Sequence, residues 1–93
     1  LGLDITAFAL VGLASRSERD LLAFEAHLAG WPLVRESHLV TGEFDFLLKC
    51  VATDFPAFQS FILEELTAAE NVDSVRTALV VRKSKDVPDV PVA

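Results

Sequence analysis

Two segments of the chain, 4–14 and 44–52, are apolar at almost every position. Because side chains alternate between the two faces of a strand, each segment would present apolar residues on both faces. Such a pattern is typical of a strand in the centre of a sheet. The segments 33–41 and 74–83 also alternate, but they carry more charged side chains, and we predict that they form the two edge strands.

Two further segments carry apolar residues at helical spacing. We predict the first helix over 18–29, with Ser17 as the residue that caps its first turn. We predict that the second helix begins after Asp54, another capping residue, with a proline tolerated in the first turn. The buried stripes are predicted to be Leu21, Phe24 and Leu28 in the first helix and Phe55, Phe58, Phe61, Ile62, Leu63 and Leu66 in the second.

The resulting order of strand, helix, strand, strand, helix and strand predicts an α+β fold, the ferredoxin-like βαββαβ sandwich. Right-handed crossovers place both helices on one face of a four-stranded antiparallel sheet, with the first and third strands in its centre. The other face would then present apolar residues such as Phe8, Leu10, Leu47 and Val51. Because the burial of apolar area favours association, we predict a dimer that packs through this second face.

A glycine turn joins the second predicted strand to the third. We predict a β-hairpin in which Gly42 and Glu43 form a two-residue type II′ loop, because glycine readily adopts the positive φ angle that this turn requires. Asp45 would then lie opposite Val40, at the start of an apolar strand. A carboxylate at this position needs either a partner or contact with water, because burying an unpaired charge is costly.

Two interpretations of this hairpin remain open. Backbone N–H groups around Gly42 could hold a small anion and Asp45 could hold an ammonium group, which together suit the head group of an α-amino acid. Alternatively, Gly42 only makes the turn. Asp45 then accepts hydrogen bonds from the backbone amides of that turn or lies on a solvent-exposed rim. Because the strand that starts here is central in a sheet that needs a partner, we expect Asp45 to be a rim residue near an interface.

Composition disfavours several classes of function. The net charge of −6 argues against nucleic-acid binding by this segment, which depends on clustered lysine and arginine. No apolar run reaches the roughly 20 residues of a membrane helix. The single cysteine, Cys50, leaves no metal-binding spacing and is predicted to be a small buried hydrophobe. No catalytic or phosphate-binding motif occurs, so we expect no cofactor and no enzymatic activity, and without a signal peptide we expect a cytoplasmic protein.

The segments 38–49 and 75–81 closely resemble the C-terminal effector-binding domain of the Lrp/AsnC (feast/famine) transcriptional regulators. The signature is a hairpin of valine, threonine, glycine, acid, aromatic residue and aspartate, and the likeness covers residues 1–82. The resemblance implies a domain that dimerises through its sheet and assembles further into tetramers or octamers. It also implies binding of an amino acid or a related small molecule between dimers.

Site residues follow from the same resemblance. In that family the glycine and the aspartate of the hairpin lie at the effector site, which corresponds to Gly42 and Asp45 here. Thr41 and Thr77 match positions that often line the pocket. DNA binding would belong to an N-terminal winged helix-turn-helix domain that this chain does not contain. Either that domain was removed or the chain is a stand-alone module, and the start on Leu1 without a methionine favours removal.

We predict one ligand-binding and oligomerisation domain over 1–85 and an extended tail over 86–93, where repeated valine and proline favour polyproline II structure.

Two other functions remain open. A small enzyme of the dimeric α+β barrel class would share this order of elements, with His38 as the one candidate for the mouth of its barrel. A purely structural oligomerisation module would need no ligand.

Overall fold

The computed structural model describes residues 4–88, and its sheet and helices confirm the predicted ferredoxin-like α+β fold. The antiparallel sheet has the strand order β2-β3-β1-β4, so the first and third strands are central, as predicted. The elements are β1 (Ile5–Leu13), α1 (Glu18–Leu28), β2 (Val34–Leu39), β3 (Phe46–Ala52), α2 (Phe55–Phe61), a π-helical turn (Ile62–Leu66) and β4 (Val72–Leu79).

The hydrophobic core lies between the helices and one face of the sheet. Every second residue of the two central strands points into it and, except for Ile5, is buried, whereas the intervening residues lie on the opposite face and, except for Gly12, are half-buried. Burial raises the pKa of the Cys50 thiol to about 11, so this thiol stays protonated, and the prediction of a small buried hydrophobe is confirmed. The core consists mainly of Ala7, Ala9, Val11 and Leu13 in β1, Phe46, Leu48, Cys50 and Ala52 in β3, and Phe24, Phe58, Phe61 and Leu66 in the helical segments.

The opposite face of the sheet, here called the open face, is not covered by either helix. Residue pairs in register show that it is partly apolar and partly charged: Leu10 lies beside Leu47, whereas Phe8 lies beside Lys49. At its edge, Lys49 Nζ lies 3.7 Å from a carboxylate oxygen of Glu36 in β2. The open face comprises Thr6, Phe8 and Leu10 of β1, Leu47, Lys49 and Val51 of β3, Glu36 and His38 of β2, and Arg76 and Ala78 of β4.

The edge strands are shorter than predicted. β4 was expected over 74–83 but ends at Leu79, which is paired with Ala7 near the beginning of β1. One further hydrogen bond joins the N–H of Val80 to the carbonyl of Thr6, and Val81 is 95% exposed. A strand continues only while a neighbour supplies hydrogen-bond partners, so β4 ends where β1 begins.

Both predicted helix caps are confirmed. The side chain of Ser17 accepts a hydrogen bond from the N–H of Asp20, and that of Asp54 accepts one from the N–H of Ala57. In α1 the predicted stripe faces the core as expected, with Phe24 buried. In the second helical segment two predicted core residues are exposed instead, Phe55 by 46% and Leu63 by 63%.

The second helical segment ends in a π-helical turn. The N–H of Thr67 donates to the carbonyl of Ile62, five residues earlier, at 3.0 Å. Residues five apart lie on different faces of a regular α-helix, but a π turn brings them together. Phe61 and Leu66 therefore both point into the core.

Candidate functional site

The loop between β2 and β3 keeps the predicted register but does not form the predicted two-residue type II′ turn, because residues 42 and 43 form a bend and no backbone hydrogen bond joins Thr41 to Phe44. The N–H of Val40 donates to the carbonyl of Asp45 at 2.9 Å, so these residues face each other as expected. Gly42 has a φ of +111°, a left-handed conformation that favours glycine. A Cβ atom at Gly42 would meet nothing within 4 Å, and Thr41 is also exposed. The tip of the hairpin is therefore open to another molecule.

Asp45 is buried, and the prediction of a rim residue is wrong. The residue is 7% exposed, and its carboxylate is bound on both sides. Oδ2 accepts from the N–H of Leu13 at 2.8 Å, and Oδ1 accepts from Nε of Arg16 at 2.7 Å. The backbone N–H of Asp45 also donates to the carbonyl of Val11. These partners make burial of the charge acceptable and tie the hairpin to the end of β1.

The β1–α1 loop, residues 14–17, is held from a second side by Asn71. Nδ2 of Asn71 donates to the carbonyl of Ser15 at 2.8 Å, and its Oδ1 accepts from the N–H of Ser15 at 2.9 Å. The N–H of Ala14 donates to the carbonyl of Asn71. Asn71 has a φ of 72°, which asparagine tolerates better than most residues. The loop is thus fixed between the hairpin and the turn before β4.

Asn71→Ala is expected to lower the free energy of unfolding by about 1–2 kcal/mol, because it removes two hydrogen bonds and strains the left-handed backbone. Asn71→Gly removes the same hydrogen bonds without the strain. Its midpoint of unfolding in urea should therefore lie between those of wild type and the alanine variant. Urea titration followed by circular dichroism gives this order. Equal stability of all three proteins would show that Asn71 does not hold the loop.

Hydroxyl groups of the same loop bind a carboxylate at the start of α1. Ser15 and Ser17 both donate to Oδ2 of Asp20, and these hydrogen bonds are the main reason that the pKa of Asp20 is lowered. A charged Asp20 also suits the positive end of the helix dipole. The conformation of the loop is therefore determined by carboxylates and amides from three parts of the chain.

Thr77 lies apart from the hairpin. It is paired with Ala9, in the middle of β1, whereas Asp45 contacts the last residues of that strand. Thr77 lines a groove of about 470 Å³ between α2 and β4, together with the aromatic side chains of Phe55 and Phe58. Within one chain, the structure brings Thr41, Gly42 and Asp45 into one hairpin but does not bring Thr77 to it.

The remaining candidate residue, His38, lies at the edge of the open face. Its Nε2 is 3.2 Å from a carboxylate oxygen of Glu36. Hydrogen bonding to His38, followed by attraction from Lys49, lowers the pKa of Glu36. Within residues 4–88, no cluster of three or more His, Cys, Asp or Glu side chains is suited to hold a metal ion. Nor does any described helix have the length and apolar character needed to cross a membrane.

Arg16 and Asn71 were not recognised from the sequence as parts of this site. Arg16 follows β1 in a short polar segment, and nothing in its spacing indicates that it reaches a residue 29 positions later. The signal for Asn71 was available, since asparagine between a helix and a strand is typical of a left-handed turn. Its contacts with Ser15, 56 positions away, could not be inferred from that pattern.

The chain matches a family profile described as the Lrp/AsnC ligand binding domain over residues 6–90. It is 54% identical over 92 residues to the leucine-responsive regulatory protein of Rhizobium meliloti (strain 1021), covering 99% of this chain and 59% of that protein. Identity to the transcriptional regulator AzlB of Bacillus subtilis (strain 168) is 30%, with the same coverage. The chain therefore spans about three-fifths of the length of these relatives.

Solved structures agree with this comparison. A transcriptional regulator of Neisseria meningitidis in complex with L-Met has a TM-score of 0.82 and 29% identity, covering 94% of this chain and 56% of that one. Escherichia coli AsnC has a TM-score of 0.84, covering 97% of this chain and 59% of that one, and at 21% identity it supports the fold alone. The resemblance inferred from the hairpin is confirmed: the chain belongs to the family of Lrp/AsnC ligand-binding domains.

Proposed function

We propose that the chain is the effector-binding and oligomerisation domain of a bacterial or archaeal transcriptional regulator that senses an amino acid or a related small molecule at subunit interfaces. The observation that carries the proposal is the exposed hairpin tip at Thr41 and Gly42, held rigidly at its base by Asp45. Two comparisons support this class of effector: one relative is named as leucine-responsive, and one structural neighbour was solved in complex with L-Met.

The proposed assembly is a dimer that packs through the open face and associates further into tetramers or octamers. Supporting this, the open face contains apolar side chains that are only half-buried in one chain, among them Leu10 and Leu47. We propose that 1–85 forms this compact unit and that 86–93 is an extended tail, of which residues 89–93 lie outside the described part. DNA would be bound in the cytoplasm through a separate N-terminal domain.

The residues proposed to form the ligand site, by contact or by positioning, are Thr41, Gly42, Asp45 and Thr77. Thr41 and Gly42 are exposed and could contact the effector directly. Asp45 has a different role, because its carboxylate already binds Leu13 and Arg16. Thr77 would contribute only through the groove beside α2, so it is the weakest member of this set.

An enzymatic role has less support. The relatives named above are regulators, and the only catalytic candidate, His38, is exposed and paired with Glu36 on the open face. A purely structural module would form the same oligomer but would bind no effector. We therefore propose that the domain is not an enzyme. Binding of an effector is the property that distinguishes it from a purely structural module.

A thermal-shift experiment tests the proposal. The purified domain is heated in the presence of each standard amino acid at millimolar concentration. Because a ligand that binds only the folded state stabilises it by mass action, one or a few amino acids should raise the melting temperature by several degrees. No shift with any amino acid, together with an unchanged oligomer, would contradict effector binding and favour the structural module.

A further inference from the structure

Asp45 fixes the Arg16 guanidinium at one nitrogen only. Nε of Arg16 donates to Oδ1 of Asp45 at 2.7 Å, while the Arg16 side chain remains 62% exposed. Over residues 4–88, the terminal Nη groups of Arg16 donate no hydrogen bond. A guanidinium has five N–H donors, so the four on the Nη atoms remain for another acceptor.

The contact with Asp45 is itself held in place. The second carboxylate oxygen of Asp45 accepts from the N–H of Leu13 at 2.8 Å, in a buried environment. A carboxylate bound on both sides has little rotational freedom, and this restrains the nitrogen of Arg16 that it binds. An arginine that is ordered before a ligand arrives loses less conformational freedom on binding.

We infer that Arg16 binds the carboxylate of the effector and that Asp45 is the positioning residue for Arg16, not the partner of the effector's ammonium group. This inference rests on the proposed function. A free carboxylate and the two Nη atoms form a bidentate pair of matching geometry. The ligand class is therefore a small molecule with a free carboxylate, such as an α-amino acid, and its primary amide should be a poor ligand.

The geometry at Asp45 argues against the opposite assignment. An ammonium group would have to approach oxygens that already accept hydrogen bonds from Leu13 and Arg16, in a residue that is only 7% exposed. The Nη groups of Arg16 face no such obstacle. Thr41 and Gly42, at the tip of the same hairpin, remain available for other parts of the effector.

Calorimetric titration tests this inference. The probes are the standard amino acids, with L-leucine and L-methionine first, and the primary amide of each. Wild type should prefer the acid over the amide by at least about tenfold, because only the acid forms the bidentate pair. Arg16→Gln should lose that preference, with weaker binding of the acid and unchanged binding of the amide, and Arg16→Lys should be intermediate.

Arg19→Gln is the matched control. Arg19 is an arginine of the same region, but its side chain is 89% exposed and lies 3.6 Å from Asp20 instead of Asp45. It should bind acid and amide as wild type does. Circular dichroism and the melting temperature establish that each variant is folded, which the exposure of both side chains leads us to expect.

The outcomes separate the inference from the function on which it rests. If wild type binds an amino acid but Arg16→Gln keeps the preference for the acid, Arg16 is not the carboxylate ligand and the inference is overturned. If wild type binds the acid and the amide equally, the inference is also overturned, while the proposed function stands. If wild type binds none of the amino acids, the proposed function fails, and the inference fails with it.

Discussion

Asp45→Ala is expected to lower the free energy of unfolding by about 2–3 kcal/mol. The main cause is the buried N–H of Leu13, which loses its acceptor; an unsatisfied buried donor costs about 1–3 kcal/mol. Loss of the contact with Arg16 adds less, about 0–1 kcal/mol, because that side chain is largely exposed to solvent. The variant should therefore unfold at a clearly lower urea concentration than wild type.

Glu43→Ala is the control for this variant. Glu43 is an acid of the same hairpin, but it is exposed, so its removal should change stability by less than about 0.5 kcal/mol. Urea unfolding followed by tryptophan fluorescence is suitable, because Trp31 is buried in the core against Phe24. If Asp45→Ala were as stable as Glu43→Ala, Asp45 would not anchor the β1–α1 loop.

Leu47→Asp is expected to raise the dissociation constant of the proposed dimer by at least about a hundredfold. Leu47 lies beside Leu10 in the middle of the open face, and a carboxylate buried there in a dimer would have no partner. A hundredfold change corresponds to about 2.7 kcal/mol of association free energy. Analytical ultracentrifugation at micromolar concentration should show a dimer or a larger assembly of dimers for wild type and a smaller, predominantly monomeric species for the variant.

Two further variants make this result interpretable. Leu22→Asp places the same charge on α1, at a residue that is 56% exposed, and should remain a dimer. Leu47→Thr introduces no charge, so it should fold and weaken the dimer by a smaller factor. If wild type is a monomer, or if Leu47→Asp and Leu22→Asp associate equally, the open face is not the interface.

The sheet could be predicted from the sequence because its central strands differ in composition from its edges. Residues 4–14 and 44–52 are apolar on both faces, and these segments became β1 and β3. The capping residues Ser17 and Asp54 correctly indicated where both helices start. Each accepts a hydrogen bond from a backbone N–H only three residues later. Signals of this kind are local, and the sequence contains them in full.

The parts that could not be predicted depend on contacts between distant positions. Polarity alone suggested that Asp45 lies on a rim, but Leu13 and Arg16, at separations of 32 and 29 residues, provide the donors that make its burial possible. In the second helical segment, a π turn brings Phe61 and Leu66 to the same side of the helix, which a regular helical period does not predict. Helical periodicity assumes a constant pitch, so it cannot show where an extra residue enters the helix.

The same distinction explains why only some of the predicted site residues lie close together in one chain. The positive φ at Gly42 was predicted from the conformational freedom of glycine and is confirmed at +111°, whereas the hydrogen bond of a type II′ turn between Thr41 and Phe44 is not formed. Thr77 was included through family resemblance, and in this chain it lines the groove beside α2 instead of the hairpin. The position of a residue along a strand does not show which loop or helix will lie next to its side chain.

The location of the effector is the central claim, and backbone amide chemical shifts in a ¹⁵N-labelled domain test it most directly. During titration with L-leucine or L-methionine, the largest changes are expected in the two loops that Asp45 connects, at residues 40–45 and 14–17. The amide of Gly42 should be among the most affected. Changes confined to the groove beside α2, at Thr77 and Leu79, with an unchanged hairpin, would contradict the account.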